Sequence, residues 1–190
     1  MIIPIGIDCG LAELLKNNNI RCFAFPFDWC VTYNGVSEII KDDFNKFIPE
    51  LGKTINYDYN INFVHDFSKE SFINDKEKYL RRINRFKTIL DDNLESIIFI
   101  RKGHAHHHHE ESEMIKNDIE DAEELDKVLK DKYKNLSYTI IVILVCGDCF
   151  DTNKIYSSNS ERVKIYNIST PKVDDNKFNK KLKDILKISY

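Results

Sequence analysis

The chain has 190 residues, of which 42% are hydrophobic and 31% are charged, and its formal net charge is −3. This balance is typical of a folded globular protein and excludes intrinsic disorder. A negative net charge argues against a nucleic-acid partner, which usually requires a basic excess. The longest apolar run, residues 138–146, is shorter than the roughly 20 residues of a transmembrane helix. We therefore expect no membrane partner.

The cysteine content and the N-terminal sequence both indicate a cytoplasmic protein. The chain begins M-I-I-P-I-G, with neither a basic segment nor a long apolar one, so we expect no signal peptide. An odd, sparse set of cysteines does not form a disulfide framework, which predicts free thiols in a reducing compartment. The five cysteines are Cys9, Cys22, Cys30, Cys146 and Cys149.

The first 70 residues contain several short predicted elements. Apolar residues recur at helical spacing over residues 36–47, and Pro49 marks the end of that helix. Residues 54–66 alternate between apolar and polar side chains, as in a half-buried strand or hairpin. The other predicted elements are a strand over 2–7, a helix that begins over 11–16 and a packed, extended aromatic segment over 22–30.

The rest of the chain alternates amphipathic helices with apolar strands. This pattern predicts a parallel sheet that is covered on both sides, and thus a single three-layer α/β domain over residues 1–190. The polar stretch 151–162 is predicted to be a surface loop. Helices are predicted over 74–91, 113–134 and 178–188, and strands over 96–100, 138–146 and 163–168.

Chemically active side chains follow three of the predicted strands. Cys9 follows the first strand, Lys102 and the histidines of residues 104–109 follow the second, and Asp148 follows the third. Ligands of open parallel sheets bind beyond the carboxyl ends of the strands. A cysteine, a histidine and an aspartate can act as nucleophile, base and orienting carboxylate. A helix N-terminus directly after Cys9 would stabilise its thiolate.

Each of these assignments has an alternative. Cys9 could instead be a small residue that fills a tight turn. His104 and His106 come soonest after the strand and are the favoured bases, whereas His65, in F-V-H-D-F, is the competing base. Asp28, among aromatic residues in F-P-F-D-W, could cap a turn or take part in catalysis.

The histidine run H-A-H-H-H-H has two further interpretations. It could be a polar surface loop, or it could bind zinc or nickel together with Glu110, Glu111 and Glu113. Adjacent histidines point in different directions, however, so we expect no metal and no cofactor. The C-G-D-C sequence of residues 146–149 has redox spacing, but no second C-x-x-C accompanies it.

Several segments in order resemble a known family. They are I-G-I-D-C-G-L-A-E-L-L-K-N-N-N-I-R, F-P-F-D-W, D-F-x-x-F, F-V-H-D-F, R-R-I-N-R-F and I-I-F-I-R, within residues 1–101. This series resembles a family of papain-like cysteine peptidases found in poxviruses, other large DNA viruses and bacteria. The resemblance implies that Cys9 is the thiol nucleophile, that a histidine is its base, and that a viral chain would act in the host cytoplasm.

A second likeness concerns architecture alone. The strand–Cys–helix start is similar to a bacterial capsule-biosynthesis family that combines a Cys/His pair with acyl transfer from coenzyme A. Papain itself carries its cysteine on a long helix packed against a β-barrel. A parallel sheet departs from that arrangement and favours hydrolysis of an ester or acyl group over proteolysis.

The sequence therefore predicts a cysteine hydrolase that acts on a peptide, ester or acyl substrate. Cys9 would attack a carbonyl, a histidine of residues 104–109 would take the proton, Asp148 would orient that histidine, and backbone N–H groups after Cys9 would hold the oxyanion. One alternative is an acyltransferase. Another is a non-enzymatic viral protein that binds a host protein, and a third is a metal-dependent hydrolase built on the histidine run.

Overall fold

The computed structural model of the chain describes residues 1–32, 35–103, 117–145, 155–168 and 175–187. Over these ranges the fold is mixed α/β, with one four-stranded parallel sheet and one small antiparallel sheet. The described strands are β1 (Ile2–Pro4), β2 (Val31–Thr32), β3 (Ile55–Asn56), β4 (Ile61–Asn62), β5 (Ile97–Gly103), β6 (Tyr138–Leu144) and β7 (Val163–Asn167). The described helices are α1 (Cys9–Asn17), α2 (Val36–Lys41), α3 (Phe72–Asp92), α4 (Asp118–Lys132) and α5 (Asp175–Leu186).

The main sheet has the strand order β1-β5-β6-β7, with every neighbouring pair parallel. Pro4 lies beside Ile100, and Gly103 lies beside Leu144. The carboxyl ends of β1, β5 and β6 therefore lie side by side at one edge of the sheet. The expected mainly parallel α/β architecture is confirmed.

Helices cover both faces of this sheet because its two central strands are apolar on both sides. On one face, α1 and α5 pack through Leu11, Leu15, Phe178 and Leu182. On the other face, α3 and α4 join a larger core that is rich in phenylalanine. The rings that meet there are those of Phe25, Phe27, Phe44, Phe47, Phe63, Phe67, Tyr79, Phe86 and Phe99.

Several elements differ from those predicted. The segment 22–30 is packed as expected, but it turns instead of extending, since the Asp28 amide donates to the Phe25 carbonyl. Helix α2 ends at Lys41, and positive φ angles at Asp43 and Phe44 turn the chain so that the Phe44 ring enters the aromatic core.

The first two strands of the main sheet also differ in length from their predictions. Strand β1 ends at Pro4, and Gly6 follows with a φ of +98°. Strand β5 continues past Ile100 to Gly103, because the charged side chain of Arg101 is buried and fully paired. The hairpin interpretation of residues 54–66 is confirmed by the antiparallel pairing of β3 with β4.

Among the helices that the structure describes, not one has both the length and the apolar character needed to cross a bilayer.

Candidate active site

Cys9 is the first residue of α1, and its side chain is partly exposed. Asp8 caps the helix, since its carboxylate accepts a hydrogen bond of 2.9 Å from the Gly10 amide. The partial positive charge of a helix N-terminus favours an anion at this position. The local sequence thus places a thiol at the N-terminus of a helix.

The turn that carries Cys9 is fixed by hydrogen bonds to its backbone carbonyls. The Lys102 amide of β5 donates to the Gly6 carbonyl at 3.2 Å, and the Thr32 amide of β2 donates to the Ile7 carbonyl at 2.9 Å. Strands β5 and β2 therefore hold Gly6 and Ile7, the two residues that precede Asp8.

A buried guanidinium lies beneath the same turn. Arg101 Nη1 donates to the Ile5 carbonyl at 2.9 Å and to Thr32 Oγ1 at 2.7 Å. Gly6 passes directly over this contact, and a Cβ at Gly6 would collide with both Arg101 Nη1 and Thr32 Oγ1. Gly6 is thus required by close approach as well as by its positive φ.

Cys9 lines an open groove of about 500 Å³ between α1 and α5. The ammonium group of Lys102 is 3.3 Å from Asp8 Oδ2 and 5.4 Å from the centroid of the Phe178 ring. The groove thus combines a thiol, a cation and an apolar wall. Its lining residues are Asp8, Cys9, Gly10, Glu13, Leu14, Asn17, Lys102, Phe178 and Asn179.

The favoured base and orienting residues, His104, His106 and Asp148, lie outside the described residues. The strands that precede them are described. Gly103 ends β5, which is the direct neighbour of β1, and Leu144 ends β6, which is the next strand along. Neighbouring strands are about 4.8 Å apart. Gly103, the last described residue before the histidines, therefore ends a strand that lies directly beside β1.

His65, the competing base, lies in the turn after β4 with an exposed side chain. It is not among the residues that line the Cys9 groove. No hydrogen bond joins it to Cys9 among the described contacts. The structure thus separates this histidine from the groove.

Asp28 lies in the aromatic core, with 0% of the residue exposed. Its Oδ2 accepts from the Phe25 amide at 3.0 Å and is 3.2 Å from Arg21 Nη1. Burial raises the pKa of this carboxyl to about 6, against the opposing effects of the Phe25 hydrogen bond and of Arg21. These contacts match the turn-capping alternative for Asp28, and the residue does not line the groove.

The described thiols differ sharply in accessibility. Cys22 is exposed, whereas Cys30 is buried, and burial raises the pKa of the Cys30 thiol far above its usual value. Cys146 and Cys149 lie outside the described residues. Among the residues that the structure describes, no three His, Cys, Asp or Glu side chains converge as a metal site, and the histidine run at 104–109 lies outside them.

A second depression, of about 340 Å³, lies along β3 and the turn before it. Its lining includes the ion pairs Lys46–Asp58 and Lys53–Glu50, and no cysteine or histidine. It offers no thiol and no imidazole, so the Cys9 groove is the better candidate for cysteine chemistry.

Arg101 and Thr32 were not predicted as site residues. The strand predicted over 96–100 ends just before Arg101. The signal available in the sequence was the continuous run I-I-F-I-R, in which an arginine extends an otherwise buried strand. Its partners come from positions 5, 32 and 118, and sequence spacing alone does not bring these together.

The geometry therefore defines an α/β protein with a cysteine at the start of its first helix. The sequence model of the family described as "Putative papain-like cysteine peptidase (DUF1796)" matches residues 1–57 and 50–147. The chain belongs to this family. The description names an enzyme class and gives neither a substrate nor a source. Searches of curated proteins and of solved structures found no match.

Proposed function

We propose that the chain is a single-domain cysteine hydrolase in which Cys9, at the end of the first strand, is the nucleophile. The observation that carries the proposal is the placement of Cys9: the thiol is partly exposed, begins α1 and lines the groove. Membership in a family described as papain-like cysteine peptidases supports the same reaction class.

The base is assigned to His104 or His106, with Asp148 as the orienting carboxylate. The support is the strand order: β5, which precedes the histidines, is the direct neighbour of β1, and β6, which precedes Asp148, is the next strand along. His65 is the weaker candidate for the base because it is exposed on another part of the surface and does not line the groove. Asp28 is assigned a structural role in its turn.

The proposed reaction begins when the histidine takes the thiol proton and the sulfur attacks a substrate carbonyl. The tetrahedral intermediate collapses, the leaving group departs with the proton from the histidine, and an acyl group remains on Cys9. Water then releases the acid. The Gly10 amide already donates to Asp8, so we assign the oxyanion to the Cys9 amide, with the positive charge of Lys102 nearby.

The substrate class is a peptide, ester or other acyl compound. The groove is open along α1 and α5, which suits an extended chain, and the Phe178 wall suits an apolar group beside the scissile carbonyl. An acyltransferase would use the same covalent step with an acceptor other than water.

The test uses p-nitrophenyl acetate, which reports the leaving group by its colour and leaves an acetyl group on the nucleophile. We expect a burst of p-nitrophenol and an acetyl group on Cys9 by peptide mass spectrometry. Cys9→Ala should abolish the burst, and Cys22→Ala, which removes an exposed thiol outside the groove, should retain it. An equal burst from Cys9→Ala would overturn the proposal.

A further inference from the structure

Arg101 carries a charge in the interior of the protein, where an unpaired guanidinium is costly. Only 2% of the residue is exposed. Its Nε donates to Asp118 at 2.7 Å, and its Nη2 is 2.5 Å from the same oxygen. Together with the contacts from Nη1 to Ile5 and Thr32, and one from Nη2 to the Thr32 carbonyl at 2.8 Å, all five N–H donors face acceptors.

Apart from Asp118, the groups that accept hydrogen bonds from Arg101 lie on Ile5 and Thr32, in or beside the turn that carries Cys9. Arg101 binds the Ile5 carbonyl directly. It also binds Thr32 on both the hydroxyl and the carbonyl, and Thr32 passes this restraint on by donating its amide to Ile7. Two of the four residues before Cys9 are therefore held, one directly and one through Thr32.

A buried ion pair is weak support for stability, since apolar residues of the same volume are often equally stabilising. What an apolar pair cannot supply is a fixed position for the carbonyls of Ile5 and Thr32. Asp118 neutralises the charge of Arg101, with 0% of the Asp118 side chain exposed. Arg101 therefore acts on Cys9 through geometry and not as a nearby free cation.

We propose that Arg101 and Thr32 are positioning residues that hold the Cys9 turn in its reactive geometry. This inference rests on the proposed role of Cys9 as the nucleophile. A lysine cannot replace Arg101, because an ammonium group offers three donors and lacks the planar fork that reaches two partners at once.

The test is alkylation with limiting iodoacetamide, quantified at each cysteine by mass spectrometry. Cys22 is an exposed reference within the same molecule, and Cys30 is a buried thiol that labels only when the protein opens. Thr32→Val removes the hydroxyl that accepts from Arg101 but keeps the shape of the side chain, and Thr32→Ser restores the hydroxyl. A displaced turn in Thr32→Val should lower the Cys9-to-Cys22 labelling ratio by about tenfold, and Thr32→Ser should stay near wild type.

The outcomes separate this inference from the proposed function. An unchanged ratio in Thr32→Val, with a high wild-type ratio, overturns the positioning role and leaves Cys9 as the nucleophile. A wild-type ratio near one overturns both. If Cys30 labels in Thr32→Val, the fold has opened, and Asp118→Asn, which weakens the anchor of Arg101 without changing shape, decides by the same ratio.

Discussion

Gly6 shows how one residue without a side chain permits the geometry of the Cys9 turn. Its φ of +98° is strained for any L-residue, and the guanidinium of Arg101 occupies the space of a Cβ. The sequence I-G-I-D-C-G indicated a turn, but the contact with Arg101 could not be predicted, because it joins residues 95 positions apart.

Replacement of Gly6 by alanine should therefore lower the free energy of unfolding by more than the cost of the strained backbone alone. Gly52→Ala is the matched control, since Gly52 also has a positive φ of +77° but faces only the flexible side chain of Lys69. We expect a loss of about 1–2 kcal/mol for Gly52→Ala and a loss of at least about 3 kcal/mol for Gly6→Ala. Urea unfolding measures both, and equal losses would contradict the collision with Arg101.

Asp28, buried in the aromatic core, makes the stability of the fold depend on pH. Its pKa is raised from 3.8 to about 6 by burial, so the folded protein binds this proton more tightly than the unfolded chain does. The protonated Asp28 carboxyl therefore adds to the free energy of unfolding in full below about pH 4. This contribution is lost as the pH rises through about 6. The shift of about two units corresponds to roughly 3 kcal/mol.

Asp28→Asn should remove this pH dependence, because the amide keeps an acceptor for the Phe25 amide but does not titrate. We expect the variant to gain roughly 3 kcal/mol relative to wild type between pH 4 and pH 7.5. Urea unfolding of both proteins at the two pH values gives the difference. Parallel pH curves would contradict burial of an ionisable carboxyl at this site.

At the scale of the elements, periodicity predicted the existence of most helices and strands better than their ends. Helix α3 and the hairpin of β3 and β4 follow their apolar patterns. Helix α2 stops six residues early because Phe44 and Phe47 turn into the aromatic core, an effect of tertiary packing that a local pattern cannot contain.

The start of α1 depends on Asp8, and this can be tested without changing Cys9. Asp8→Ala loses the side-chain cap and should cost about 1 kcal/mol, whereas Asp8→Asn keeps an equally good cap and should cost little. Asp8→Asn also removes the ion pair with Lys102, which is partly exposed and contributes little. Thermal unfolding of the pair checks the cap, and equal losses for the two variants would show that the ion pair matters more.

At the scale of the whole molecule, continuous apolar strands and amphipathic helices were enough to predict a parallel α/β sheet. They could not give the order of its strands, and that order places β5 beside β1. The family match ends at residue 147, yet α5 lies beyond it and forms a wall of the Cys9 groove.

A single domain should unfold in a single step. Trp29, the one tryptophan of the sequence, reports by fluorescence on the segment beside the aromatic core, and circular dichroism reports on all helices together. We expect the two urea transitions to coincide. Separate midpoints would indicate that the two sheets unfold independently, which would contradict a single domain over residues 1–190.

The central claim, that Cys9 is an activated nucleophile, is tested most directly by its alkylation rate from pH 5 to 9 in the wild-type protein. His65→Ala, His104→Ala and His106→Ala are measured alongside, with Cys22 as the internal reference. We expect Cys9 to label fastest, already near pH 6, and we expect His104→Ala or His106→Ala to abolish this advantage while His65→Ala keeps it. If Cys9 labels no faster than Cys22 at any pH, Cys9 is not an activated thiol and the proposed cysteine hydrolase is contradicted.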